Sequence, residues 1–193
     1  MEAISYLPLL AAVLAICGEG RYIYSILRGK TRPSFVAFFI FFTEMTIIFA
    51  SAYSLGARES LPLIGTFVSL HLITLLLSIK YGFIHFSRFN VVCLALSFLG
   101  LFLWWQSQNA WYALIFNILV DVLGYVVIIR KLKLYPDTED ARAWSISLMA
   151  YVVSLFALTV WIPEEYLFSM SNVFWCGVIV FLSIRPRKRE NIS

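Results

Sequence analysis

Gly18–Arg32 reads GEGRYIYSILRGKTR, an aromatic and aliphatic helix end that runs into a short basic loop. Gly124–Asp140, GYVVIIRKLKLYPDTED, does the same 106 residues later. That offset also sets Phe38 against Trp144, and an offset of 105 sets Leu77-Ser78-Ile79-Lys80 against Leu182-Ser183-Ile184-Arg185. Similarity at a fixed offset is the mark of a duplicated unit. Each unit here covers three apolar segments, with one further segment between them. A single intervening span leaves both units in the same orientation, so the pattern predicts a parallel repeat about an axis along the membrane normal. The fourth segment is then an inversion linker.

Composition points to the same setting. Of 193 residues, 61% are hydrophobic and 13% charged, against about a quarter charged in an average soluble domain. Such a chain has too little polar surface to cover itself in water, whereas lipid-facing helices need none. Seven segments approach the ~20 apolar residues that cross a hydrocarbon core: Ser5 to Leu27, Ser34 to Leu55, Leu61 to Ile79, Val91 to Gln106, Ala110 to Ile129, Ala143 to Trp161 and Tyr166 to Ile184. Met1 and Glu2 offer no basic n-region, so the first is read as a retained helix and not a signal peptide. The division is residues 1–82 for a first bundle, 83–108 for a loop and linker helix, and 109–193 for a second bundle with a basic tail.

Short loops rich in Lys and Arg stay on the cytoplasmic side. Arg28, Lys30 and Arg32 follow the first span, Lys80 and Arg88 the third, Arg130, Lys131, Lys133 and Arg142 the fifth, and Arg185, Arg187, Lys188 and Arg189 the last. Arg58 alone occupies an opposite loop. The N-terminus is therefore expected outside and the C-terminus in the cytoplasm. Trp104, Trp105, Trp111 and Trp161 gather near the outer ends, where indole rings favour the headgroup level. The net charge of +4 is explained by these loop clusters, and no nucleic-acid face is formed. Cys17, Cys93 and Cys176 lie in apolar segments without CxxC spacing, so neither a disulfide framework nor a metal site is indicated.

The stretch Tyr22-Ile23-Tyr24-Ser25-Ile26-Leu27-Arg28-Gly29-Lys30-Thr31-Arg32-Pro33, its echo from Gly124 through Arg130-Lys131 to Pro136, Glu139 and Trp144, and the 3+1+3 layout resemble the SWEET and PQ-loop superfamily, most of all its uncharacterised prokaryotic members. The resemblance implies a seven-helix fold of two parallel three-helix bundles, and transport of a small polar solute such as a sugar or vitamin. Two departures stand out. The Pro-Gln pair is missing from both copies, with Arg21 and Val127 near where the proline would stand. Of the two Asn residues in the superfamily's sugar-binding pattern, only Asn172 is present, and Phe67 or Thr66 takes the other place.

A charge at the helix centre costs roughly 2.5–3.5 kcal/mol on insertion scales, so intramembrane ionisable residues are candidates for function. Glu44, His71 and Asp121 fall near the midplane of their spans, with Asn172 somewhat outward. Asn117, Asp121 and Gly124 share one helix face at i, i+4, i+7 spacing. His71 is expected to donate a hydrogen bond to Glu44, while Thr43 and Thr46 can bond back to their own helix. A shared midplane cavity between the repeats is expected, with Asn117 and Asn172 on its wall and Trp175 and Phe67 able to stack on a ligand. Glu19 and Arg21 form a second polar group, read either as a snorkelling pair or as a gate. A purely structural reading of the midplane groups competes: a buried carboxylate-imidazole pair joins two helices, and Asp121 bonds a carbonyl.

Other classes can be weighed on the same residues. An opsin needs a Lys within the last span, and Tyr166 to Ile184 has none. A hydrolase needs a nucleophile with its base, or a metal cluster that His71 and His85 cannot supply alone. The expectation is therefore a non-enzymatic protein without cofactor, in the cell (inner) membrane, whose partners are a small solute and the lipid bilayer. Homo-oligomerisation is compatible with it. A cargo or peptide receptor on the same fold is the alternative, and its mark is a basic pocket open to one side.

Overall fold

The computed structural model describes residues 6–107 and 109–184. Ser5, the basic tail residues Arg185, Arg187, Lys188 and Arg189, and the side chain of Trp104 lie outside the described residues. Among the described residues the chain is all-helical, with seven α-helices: α1 (Leu7–Leu27), α2 (Phe35–Leu55), α3 (Leu61–Tyr81), α4 (Arg88–Ser107), α5 (Ala110–Leu134), α6 (Ala141–Phe156) and α7 (Pro163–Ile184). One 3-10 turn, Pro136–Thr138, joins α5 to α6.

Local chemistry accounts for the helix ends. Proline stands in the first turn of α1 and α3, where its missing N–H has no intrahelical partner to lose. Ser34 caps α2, its Oγ accepting from Ala37 N at 3.4 Å, and Asp140 caps α6 by accepting from Arg142 N and Ala143 N at 3.0 and 3.1 Å. Gly56 ends α2 with φ +88°, a left-handed conformation that suits glycine.

Two ends differ from the sequence expectation by five residues, the others by three or fewer. α5 continues to Leu134, five residues past Ile129, because Lys131 and Lys133 in its last turn complement the negative end of the helix dipole. α6 stops at Phe156, not Trp161. Ile162 precedes Pro163 and is thereby steered away from helix, and Thr159 is held across the gap by Glu59.

Four helices, α1, α2, α3 and the Glu165–Ile184 part of α7, are by themselves long and apolar enough to cross a membrane. The expected seven are thus only partly matched. α6 has 16 residues, about 24 Å of rise against a core of about 30 Å. The apolar part of α4, Arg88–Leu103, is also short. Large apolar side chains on the helix exteriors, Leu9, Ile16, Leu76, Phe98 and Phe181 among them, are exposed, as lipid-facing residues should be.

α3 packs against both α1 and α2, and α7 against both α5 and α6; α1 lies along α6, α2 along α5, and α4 rests on α5. The crossings are close. A Cβ on Gly18 of α1 would meet Ser147 Oγ at 2.5 Å and Ser147 N at 2.9 Å on α6, and one on Gly124 of α5 would meet the Phe41 ring of α2 at 2.4 Å. Glycine is required at both by the approach of the neighbouring helix.

The connections gather at two ends. At one, Phe83 N donates to Pro33 O at 2.7 Å, Phe35 N to Phe83 O at 3.2 Å and Arg32 N to Thr138 O at 3.1 Å, so the basic loops meet there. At the other, the α2–α3 loop is bonded to α7 and to the α6–α7 loop.

Candidate functional site

Between these ends lies a small cavity lined by Glu19 of α1, Phe41 and Met45 of α2, Phe67 and His71 of α3, Asp121 and Tyr125 of α5, Trp144, Ser147 and Tyr151 of α6, and Asn172 and Cys176 of α7. Ten of these twelve residues form offset pairs. Glu19 and Tyr125, Phe41 and Ser147, and Met45 and Tyr151 are 106 residues apart; Phe67 and Asn172, and His71 and Cys176, are 105 apart. The free space, about 10 Å³, holds roughly one water molecule.

Asn172 organises the α5–α7 side. Its Nδ2 donates to Asp121 Oδ2 at 3.2 Å and to Phe168 O at 3.0 Å, and its Oδ1 accepts from Tyr125 OH at 2.5 Å. On the opposite side His71 Nε2 stands 3.7 Å from Glu19 Oε1, and Thr74 Oγ1 donates to Glu19 Oε2 at 3.5 Å. His71 is wedged among Phe38, Phe41 and Phe67, with ring centroids 5.5–5.7 Å away.

Several expectations change here. His71 partners Glu19, not Glu44. Glu44 is 0% exposed and neither of its oxygens has a hydrogen-bond partner. The reason lies in packing: α3 contacts α1 as well as α2, and Phe41 stacks on the imidazole at 28°, filling the α2 side. Asp121 accepts from the Asn172 amide and does not donate to a carbonyl, and its Oδ1 is left without a partner. Glu19 and Arg21 are separated, because side chains two apart on a helix do not share a face: Glu19 turns inward, whereas Arg21 leaves the core to meet Asp140 at 3.1 Å.

Glu44 and Asn117 are buried beside the cavity but do not line it; Glu44 is close enough to Asp121 for the two carboxyls to interact electrostatically. Trp175 lies outside the cavity, half-buried and stacked on Tyr125 at 6.1 Å and 16°. Phe67 does line it and stacks on Tyr151 at 4.9 Å. Thr43 and Thr46 each bond back to their own helix at 2.8 Å.

Sequence reasoning missed Phe41, Met45, Tyr125, Trp144, Ser147, Tyr151 and Cys176 as lining residues. Nothing in their residue types marks them, but carrying the offset from Glu19 and His71 to their counterparts would have found Tyr125 and Cys176.

Two polar clusters lie at the loop ends of the bundle. At the basic end Glu139 accepts from Tyr22 OH at 2.8 Å and Trp144 Nε1 at 2.9 Å and forms an ion pair with Lys131. Lys131 also donates to Arg32 O, and the Arg21–Asp140 pair lies alongside. At the other end Glu165 accepts from Arg58 N at 2.9 Å and Ser60 N at 3.0 Å, while Thr159 N donates to Glu59 Oε2 at 2.9 Å. Each cluster ties residues from α1–α3 and their loops to residues from α5–α7.

Comparison of the chain with models of known families, with curated proteins and with solved structures gives no match.

Proposed function

We propose that this chain is a multi-pass membrane transporter of the 3+1+3 design, similar to the SWEET and PQ-loop superfamily, that moves a small polar solute through a midplane site between two helix repeats. Its N-terminus is outside, its C-terminus cytoplasmic, and its membrane the cell (inner) membrane. The observation that carries this reading is the paired lining of the cavity. Residues at matching positions of two units face one void, beside a Glu44 with neither oxygen partnered and an Asp121 with one oxygen unpartnered, between polar clusters that bind one unit to the other at each end. Repeat-built transporters place their sites at such an interface, and unpaired ionisable groups inside a membrane fold are retained at a cost that function explains. Matched packing supports the repeat: α1 on α6 corresponds to α5 on α2, and α3 between α1 and α2 corresponds to α7 between α5 and α6. Both ends are joined, and the space between the repeats has room for about one water.

Uptake into proteoliposomes, screened over sugars, nucleosides, vitamins and amino acids, tests this. Glu44→Gln and Asp121→Asn should remain folded and inserted yet lose uptake. Unchanged uptake per folded molecule, with only a lower melting temperature, refutes the transport role and leaves a structural one.

A second reading, a receptor or cargo-binding protein on the same fold, is favoured by one feature. A cleft of about 80 Å³ opens at the basic end, lined by Ser34, His85, Ser87, Asn90, Arg130 and Lys131 among others. Binding of an acidic peptide without any solute flux would select it.

A further inference from the structure

We infer that the solute taken by the midplane site is a cation whose recognised part is an ammonium group; this rests on the transport reading above and names its substrate class. Three observations lead there. The buried atoms without partners at the site are Glu44 Oε1 and Oε2, Asp121 Oδ1 and His71 Nδ1. Three of the four are carboxyl oxygens, so the unmet groups there are mostly acceptors. A sugar hydroxyl both gives and takes a hydrogen bond, whereas an ammonium gives only and so suits unmet acceptors.

The second observation is charge. The fixed cations close to the cavity are already held elsewhere, Arg21 by Asp140 and Lys131 by Glu139, and His71 faces Glu19. Nothing in the described residues neutralises Glu44 and Asp121, which are 0% and 1% exposed. An ammonium supplies the counter-charge that lets a buried carboxyl ionise, which a neutral solute does not.

The third is the wall. Phe41, Phe67, Tyr125, Trp144 and Tyr151 give the cavity an aromatic lining, and ring faces attract a desolvated cation. Space agrees with a small head group, since room for about one water suits an ammonium and excludes a pyranose ring in this conformation. Asp121 faces the void and Glu44 stands behind it, so Asp121 makes the direct contact and Glu44 offers further acceptor oxygens when the helices part.

The test compares isosteric probes. 1-Propylammonium chloride and propan-1-ol are titrated into the purified full-length protein at matched ionic strength, with intrinsic tryptophan fluorescence and thermal shift as readouts. The ammonium should bind about tenfold more tightly or better, and Asp121→Asn should erase the difference. Equal binding of the two probes by the wild type, a comparison that needs no variant, overturns the inference, as does retained preference in a folded Asp121→Asn protein. Flux in proteoliposomes separates the two proposals. Ammonium binding without flux sinks transport and leaves the cation site, whereas flux of a neutral solute such as erythritol without ammonium binding sinks the cation site and leaves transport.

Discussion

Replacing Glu139 by Gln should loosen the basic end of the molecule more than any other single polar change there. The Glu139 side chain is fully buried and that of Lys131 is 6% exposed. Removing one member of a buried ion pair typically costs about 3–5 kcal/mol, because the other charge is left without compensation. Two features place this site at the lower end. Gln keeps an oxygen able to accept from Tyr22 and Trp144, and Lys131 retains its bond to Arg32 O. A loss of about 3 kcal/mol corresponds to a melting-temperature drop of roughly 6–12 °C for a chain of this size. Fluorescence-detected size exclusion after heating, in one detergent, measures it. Lys131→Met alone should cost less, since Glu139 keeps two neutral donors, and the double variant should recover about 1–3 kcal/mol relative to the sum of the singles. Additive losses, or a Glu139→Gln protein that melts with the wild type, would show that the buried pair does not stabilise the basic end.

Other outcomes follow from the same contacts. Gly18→Ala and Gly124→Ala should each destabilise by about 1–3 kcal/mol through overpacking at the helix crossings, whereas Gly177→Ala, with nothing within 4 Å of its new Cβ, should be neutral or raise the melting temperature; equal behaviour of all three contradicts the close crossings. Glu165→Ala should cost about 1–2 kcal/mol by removing the acceptor for the α2–α3 loop amides, read as a lower melting temperature that Glu165→Gln partly restores. In a Cys17→Ser background, a cysteine at Arg58 should react with an impermeant maleimide from outside and one at Lys30 should not; the opposite labelling reverses the topology.

Much of this molecule was legible before any coordinates, because the membrane makes composition speak loudly. Long apolar segments, basic loops at alternate ends and a 106-residue offset between Gly18 and Gly124 require only the hydrophobic period and the cost of unpaired groups in lipid. Helix existence followed from these, and so did the burial of Glu44, Asp121 and Asn172. Partnership did not. His71 could have met either Glu19 or Glu44, since both stand on helices that α3 touches, and the stacking of Phe41 on the imidazole decided for Glu19. Which helix faces which is likewise a matter of packing across the interface: Gly18 against Ser147 and Gly124 against Phe41 bring α1 to α6 and α5 to α2, contacts separated by more than 80 residues of chain. The clusters around Glu139 and Glu165 were invisible for the same reason. Glutamates beside helix starts look like solvated charges in a sequence, and only the tertiary fold delivers the Tyr22 hydroxyl to Glu139 and the Arg58 and Ser60 backbone amides to Glu165 from the other half of the molecule.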